Sequence, residues 1–116
     1  MKSFEELIVW QRSKNLAVGL CREIESCKNW GIRDQLTRSL VSVPSNIAEG
    51  AERISKAEFR QFLGYAKGSA GEARTQVIIA RELGYLNADF ATQAESDLCE
   101  ISRMIHGLIR SLDAPV

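Results

Sequence analysis

Arg60, Lys67, Arg74 and Arg81 stand seven residues apart throughout. On a straight helix a period of seven drifts only about 20° per repeat, so the four cations share one ridge. At 1.5 Å rise per residue that ridge is about 31 Å long. A row of this kind can track a phosphate backbone through contacts that ignore base sequence. The same row can instead be solvated, or paired by acids of a neighbouring helix or subunit. Arg38 and Arg53 rank second as phosphate contacts.

A second group is polar. With the apolar stripe Ile32, Leu36, Leu40, Val43 and Ile47 taken as a core face, Gln35, Ser39, Ser42, Asn46, Glu49 and Arg53 fall together on one flank. Three readings stay open for it: a hydrogen-bonded seam between helices or subunits, a ligand or nucleic-acid contact, and a solvated face. The opposite flank, Thr37, Val41, Pro44 and Ala48, is too apolar for a free surface and suggests a second packing face, hence an oligomer. Beside the basic ridge lie Gly64, Gly68 and Gly71. A glycine inside a helix costs roughly 1 kcal/mol against alanine, so three on one side point to close approach by another helix or subunit. Glu58, Gln61, Tyr65, Ser69, Glu72 and Gln76 form the other flank, where Asn46, Arg53 and Glu72 are placed to share a network.

Catalytic constellations are scarce. His106 is the sole histidine, and a di-iron bundle needs a Glu-x-x-His on each of two helices. No nucleophile motif accompanies His106, and the three glycines lack a phosphate-loop pattern. Glu49 and Glu72 are the one acid–base candidate. Cys21, Cys27 and Cys99 form no Cys-x-x-Cys pair and read as buried free thiols of a reducing cytosol. The expectation is no enzyme, no metal and no cofactor.

Four helices must position these groups. Ser3 with Glu6 and Ser55 with Glu58 are capping boxes. The first helix should run from about Phe4 to Cys27, with Leu7, Trp10, Leu16, Leu20, Ile24 and Cys27 inward, and break near Lys28, Asn29 and Gly31. The second reaches about Glu52. Pro44 lies inside it, at a cost of roughly 3 kcal/mol, and the unbroken phase of the stripe predicts a kinked, continuous helix. The third carries Phe59, Phe62, Leu63, Ala66, Ala70, Ala73, Val77 and Ala80 inward and stops at Gly84. The fourth, capped by Asn87, buries Phe90, Ala94, Leu98, Ile101, Ile105, Leu108 and Leu112, with Pro115 beyond its end. Its acids Asp89, Glu95, Asp97, Glu100 and Asp113 outnumber Arg103 and Arg110. Basic ridge and acidic helix together suit head-to-tail assembly.

The class is therefore all-α: a single domain over residues 1–116, an antiparallel up-down-up-down four-helix bundle joined by short loops. Its 116 residues suffice for one core. Fifteen basic and fifteen acidic side chains give no net charge, which argues against a generic nucleic-acid binder unless charges are segregated. The N-terminal Glu5 and Glu6 exclude a signal peptide and no apolar run reaches membrane-spanning length, so the expected location is cytoplasmic, away from membranes.

The segment Ser42-Val43-Pro44-Ser45-Asn46-Ile47-Ala48-Glu49-Gly50 resembles the signature of the four-helix-bundle proteins encoded by intervening sequences in bacterial 23S rRNA genes. Phe4, Leu7, Val9-Trp10 and Gln11 resemble that family's first helix, and Gln35-Leu36-Thr37-Arg38 its lead into the signature. Phe59, Phe62-Leu63, Ala66, Gly68-Ser69-Ala70 and Glu72 resemble its third helix, and Leu83-Gly84-Tyr85-Leu86 its third turn. The resemblance implies a cytoplasmic helical protein assembling as a ring-like homopentamer, with no established enzymatic activity. The family is similar to the accessory variability determinant of diversity-generating retroelements, a strongly basic pentamer that works with a reverse transcriptase and nucleic acid. This chain is neutral. Its expected role is an oligomeric accessory or scaffold protein that contacts RNA or DNA and works with a protein partner; the alternative is an assembly module for which Asn46, Glu49, Gly64, Gly68, Gly71 and Glu72 form the seam.

Overall fold

Every helical segment but Ile8–Ile24 starts where a short polar side chain satisfies a backbone donor that the first turn leaves open. The computed structural model describes residues 3–113. Ser3 Oγ accepts the Glu5 N–H at 3.1 Å and opens a 3-10 turn, Phe4–Glu6. The first α-helix, α1, follows over Ile8–Ile24, so the expected single helix from Phe4 is divided at Leu7, whose backbone is extended. Gln11 Nε2 donates to the Glu5 carbonyl at 2.8 Å, and the Phe4 ring meets Trp10 edge-on at 5.1 Å. Both contacts fasten the turn to the helix.

Helix α2 spans Trp30–Ala51, with Asn29 Oδ1 accepting the Ile32 N–H at 3.1 Å. It runs unbroken through Pro44, which is buried. Helix α3 spans Lys56–Glu82 behind Ser55, whose hydroxyl accepts the Glu58 N–H and donates to the Glu58 carboxylate, each at 3.1 Å. Gly84 takes φ +77, and the N–H groups of Gly84 and Tyr85 return to the carbonyls of Arg81 and Ala80. That is a Schellman stop. Helix α4, Ala88–Asp113, begins with Asn87 Oδ1 accepting the Phe90 N–H at 3.0 Å. Pro115 lies outside the described residues.

The helices pack as a ring of neighbours: α1 on α2, α2 on α3, α3 on α4 and α4 on α1, with no diagonal contact among the described residues. Residue numbers rise along α2 as they fall along α3: Ser39 meets Gln76, Ser42 meets Ser69, and Gly50 lies against Phe59 and Phe62. The result measures 49 × 20 × 19 Å between Cα atoms. Leu20, Ile24, Leu36, Ile47, Leu63, Val77, Leu98, Ile101 and Ile105 fill its centre. Each fully buried residue of this size contributes about 1.5–3 kcal/mol. The inward face of α3 includes Ala66, Ala70, Ala73 and Ala80, all buried, so its backbone comes close to its neighbours.

The inward line of α1 differs from the one the sequence suggests. Val9, Ser13, Ala17, Leu20 and Ile24 are buried, while Leu7, Trp10, Leu16 and Cys27 are only partly covered. Small Ser13 and Ala17 seat the helix closely, and the Ser13 hydroxyl is satisfied by the Trp10 carbonyl at 3.1 Å. Cys21, Cys27 and Cys99 are free thiols of intermediate burial rather than fully buried. On α2, α3 occupies the polar flank, which leaves the opposite flank to α1. Pro44 is buried there, Thr37 and Ala48 are half-covered, and Val41 stays exposed. Most of that apolar width is thus used within one chain.

Helices α1 and α4 are tied by Arg12, whose guanidinium reaches Glu100 at 2.5 Å and Asp97 at 3.9 Å. The hydrogen bond from Arg12, aided by its charge, holds the Glu100 carboxyl below the usual carboxylate range, and Arg12 is raised in turn. A carboxylate depressed in the folded state stabilises at pH values above its unfolded pKa, about 4.3, and loses that contribution as pH falls through the folded pKa. In denaturant titrations from neutral pH into acid, Glu100→Gln should therefore show a shallower loss of stability below about pH 4 than the parent. An unchanged acid limb would show that the clasp does not contribute.

Candidate nucleic-acid interface

The alanine face of α3 points inward between α2 and α4, which sets the basic ridge along the α4 side. The four cations do not share one fate. Arg60 Nε bonds Asp113 at 2.8 Å, and Arg81 Nη1 bonds Glu95 at 2.6 Å with Thr92 Oγ1 at 3.4 Å. Both ends of the ridge are thus closed by acids of α4. Lys67 and Arg74 are exposed and have no ion-pair partner among the described residues. On α4, at 100° per residue, Ser102 and His106 fall within about 20° of the line that joins Glu95 to Asp113, and Arg110 lies about 60° to its solvent side. His106 and Arg110 are exposed, and Arg110 is also unpaired among the described residues. The face between the two ion pairs is therefore cationic: Lys67 and Arg74 from one helix, Arg110 from the other. Arg110 was legible as a cation but not as a member of this face, because only the packing of α4 on α3 places it there.

The acidic character expected of α4 does not survive as a free surface. Glu95 and Asp113 turn to α3, Asp97 and Glu100 to Arg12. Only Asp89 of the five is left exposed without a partner among the described residues.

The polar flank of α2 divides into an inner and an outer part. Ser39 Oγ donates to Gln76 Oε1 at 2.6 Å, both residues buried, and the Leu36 carbonyl lies 3.1 Å from the same hydroxyl as an alternative acceptor. Ser42 and Ser69 share a hydrogen bond of 2.9 Å, and Asn46 Nδ2 donates to the Ser42 carbonyl and hydroxyl at 2.8 and 2.9 Å. These groups form a seam between α2 and α3. Farther along, Arg53 pairs with Glu49 at 3.0 Å and reaches Glu58 at 3.9 Å, with its guanidinium 5.0 Å from the Phe62 ring centre. The network of Asn46, Arg53 and Glu72 does not form: Asn46 turns back on Ser42, Arg53 toward two acids, and Glu72 is exposed without a partner among the described residues. Nor does any contact join Glu49 to Glu72. Arg38 pairs with Asp34 at 3.0 Å on the open side of α2.

Of the two readings of the α3 glycines, approach by a helix of the same chain or by another subunit, the first does not hold among the described residues. Gly64, Gly68 and Gly71 are exposed, and a Cβ at any of them meets nothing within 4 Å. No helix of the same chain approaches them. The close crossing is at Gly50 instead, where a Cβ would lie 2.7 Å from Phe62 Cβ and 3.0 Å from the Phe59 ring. Glycine at the end of α2, eight residues before a Glu-Phe-x-x-Phe run, was the signal for it. His106 is exposed, and among the described residues no group of three or more His, Cys, Asp or Glu side chains is placed to hold a metal ion. Nor is any helix long and apolar enough to cross a membrane among them.

A family model described as 23S rRNA-intervening sequence protein matches residues 5–107. Among solved structures, the chain is similar to a protein of unknown function from the S23 ribosomal protein family of Bacteroides thetaiotaomicron. The two share 24% identity and a TM-score of 0.81, over 88% of this chain and 98% of that one. At that identity the likeness shows the fold alone. No curated protein matches the chain.

Two glycine substitutions separate the close crossing from the open face. Gly50→Ala should destabilise by about 1–3 kcal/mol, because Phe59 and Phe62 must give way. Gly68→Ala should be neutral or stabilise the isolated chain by up to about 1 kcal/mol, since alanine suits a helix better and the space is open. Equal losses in thermal melts of the two variants would contradict this placement.

Proposed function

The chain belongs to the 23S rRNA-intervening sequence protein family, and from that premise we propose a non-catalytic, cytoplasmic accessory protein that contacts nucleic-acid phosphates through the α3–α4 face, acting as a homo-oligomer. The observation that carries the reading is the pattern of pairing along the ridge. Arg60 and Arg81 are neutralised by α4, whereas Lys67, Arg74 and Arg110 between them are left open. Lys67 and Arg74 stand about 10 Å apart along the helix. Cations held in this way contact phosphates of RNA or DNA without reading bases. Arg38 and Arg53 are demoted by their acidic partners Asp34, Glu49 and Glu58.

A second reading, a protein-assembly module, is favoured by the outer face of α3. There Tyr65, Ile79 and Leu83 stay exposed beside Gly64, Gly68 and Gly71. A second copy laid on that face would make the glycines useful. The pentameric state implied by the family resemblance belongs to both readings.

Fluorescence anisotropy against labelled structured RNA and duplex DNA separates them. With three phosphate contacts per protomer, affinity should fall with a log–log salt slope of about −2.1 to −2.7, or about 20- to 40-fold between 50 and 200 mM salt. Reversing both Lys67 and Arg74 to glutamate should abolish binding and leave the oligomer mass unchanged in light scattering. Absence of binding at 50 mM salt would leave the assembly module, for which Gly68→Leu should dissociate the oligomer.

A further inference from the structure

Trp30 is the first residue of α2 and is 71% exposed, although an indole is among the costliest surfaces to leave in water. It contributes little to the core. What holds it is Arg33, whose guanidinium carbon lies 3.8 Å over the ring. Arg33 is itself fixed, because its Nη1 donates to the Glu25 carbonyl at 2.9 Å. One face of the indole is therefore backed by an anchored cation, and its high exposure leaves the remainder of the ring open. Beside the ring lies an open depression of about 600 Å³, lined by Trp30, Gly31, Arg33, Asp34 and Thr37. Gly31 adds no side chain to obstruct it.

The surroundings of the ring discriminate between kinds of partner. A protein hot spot centres an aromatic residue in an apolar, water-excluding patch. Here the lining is small, polar and charged apart from the indole itself. Arg33 and Asp34 line the depression, and Arg38 pairs with Asp34 at 3.0 Å. An open aromatic face with an arginine stacked behind it, a slight excess of cations and hydrogen-bonding groups at the edge is the composition on which unpaired bases stack. Asp34 and Thr37 are placed to meet the polar edge of such a base. A duplex, whose bases are already stacked, offers no face to the ring.

We propose that Trp30, backed by Arg33 and flanked by Asp34 and Thr37, is a stacking site for an unpaired nucleobase of single-stranded RNA or DNA. The choice of nucleic acid rests on the proposed function above. The site itself is separate from the α3–α4 face: Trp30 lies at the start of α2, on the flank of that helix turned toward α1. It confers a preference that the phosphate contacts alone lack, for single strands over duplexes.

The test uses the full chain, mixed-sequence eight-nucleotide RNA and a duplex of the same sequence. Tryptophan emission of the parent and of Trp30→Phe is compared, so that the difference reports Trp30 while Trp10 is common to both. Single strands should quench the Trp30 component and the duplex should not. Trp30→Ala should weaken single-strand binding roughly 5- to 150-fold, the range of one stacked base, with duplex binding and the melting temperature unchanged. In Lys67→Glu/Arg74→Glu, loss of duplex binding with residual Trp30 quenching by single strands would support two separate sites. Single-strand binding that neither quenches Trp30 nor weakens in Trp30→Ala would overturn the stacking site while leaving the phosphate face intact. Absence of binding by either nucleic acid would overturn both. A Trp30 emission that shifts only with protein concentration would assign the ring to a contact between copies, and so overturn the proposal as well.

Discussion

The closeness with which α3 is held between α2 and α4 governs the rest of the molecule. Its inward face includes four buried alanines, Ala66, Ala70, Ala73 and Ala80, with Leu63 and Val77 as the larger members. A helix with so little side chain on its core face brings its backbone near its neighbours. Short polar side chains then span the gap. Ser39 reaches Gln76, Ser42 reaches Ser69, and Gly50 receives Phe59 and Phe62 without room for a Cβ. With leucines in place of the alanines the serine pair could not touch, and each buried hydroxyl facing α3 would need a new partner, since an unsatisfied buried polar group costs about 1–3 kcal/mol.

The same closeness decides which cations are free. Arginine and an acid on adjacent helices meet only where the helices run side by side and the residues fall in phase. Arg60 finds Asp113 and Arg81 finds Glu95. Between these two pairs the facing line of α4 carries Ser102 and His106, with Arg110 on its outer side, so Lys67 and Arg74 face no acid there among the described residues. Exposed ion pairs contribute little to stability, typically under about 1 kcal/mol. Their larger consequence is to reduce a four-cation ridge to a short central patch and to set two acids of α4, Glu95 and Asp113, against cations of α3.

The helices were readable because their signals agree with one another. Apolar spacing, Ser55, Asn87 and Gly84 all place the same boundaries, and the stripe from Leu36 to Ile47 is buried as its period implies. The first helix was misread where two rules disagreed. Large apolar side chains suggested Leu7, Trp10 and Leu16, but burial followed small Ser13 and Ala17, because closeness of approach rather than hydrophobic size set the line. The ridge was legible as a pattern and its pairing was not, since a heptad on one helix carries no information about the phase of another. The three glycines on one side of α3 looked like a crossing, whereas the crossing within the chain falls at the lone Gly50. Spacing identifies residues that share a face; it does not identify what that face meets.

A chain with no net charge exerts little attraction on a polyanion at a distance, and at physiological salt the fields of its surface groups decay within about 8 Å. Lys67 and Arg74, about 10 Å apart, therefore act as separate contacts rather than as one extended field. In the proposed reading a single protomer binds weakly, and useful affinity must come from repetition. An oligomer supplies it without new chemistry, because each added copy presents its patch at an effective concentration fixed by the geometry of the assembly. Neutrality then has a role of its own. On that proposal it would keep isolated protomers from coating nucleic acid indiscriminately and confine binding to an assembled form.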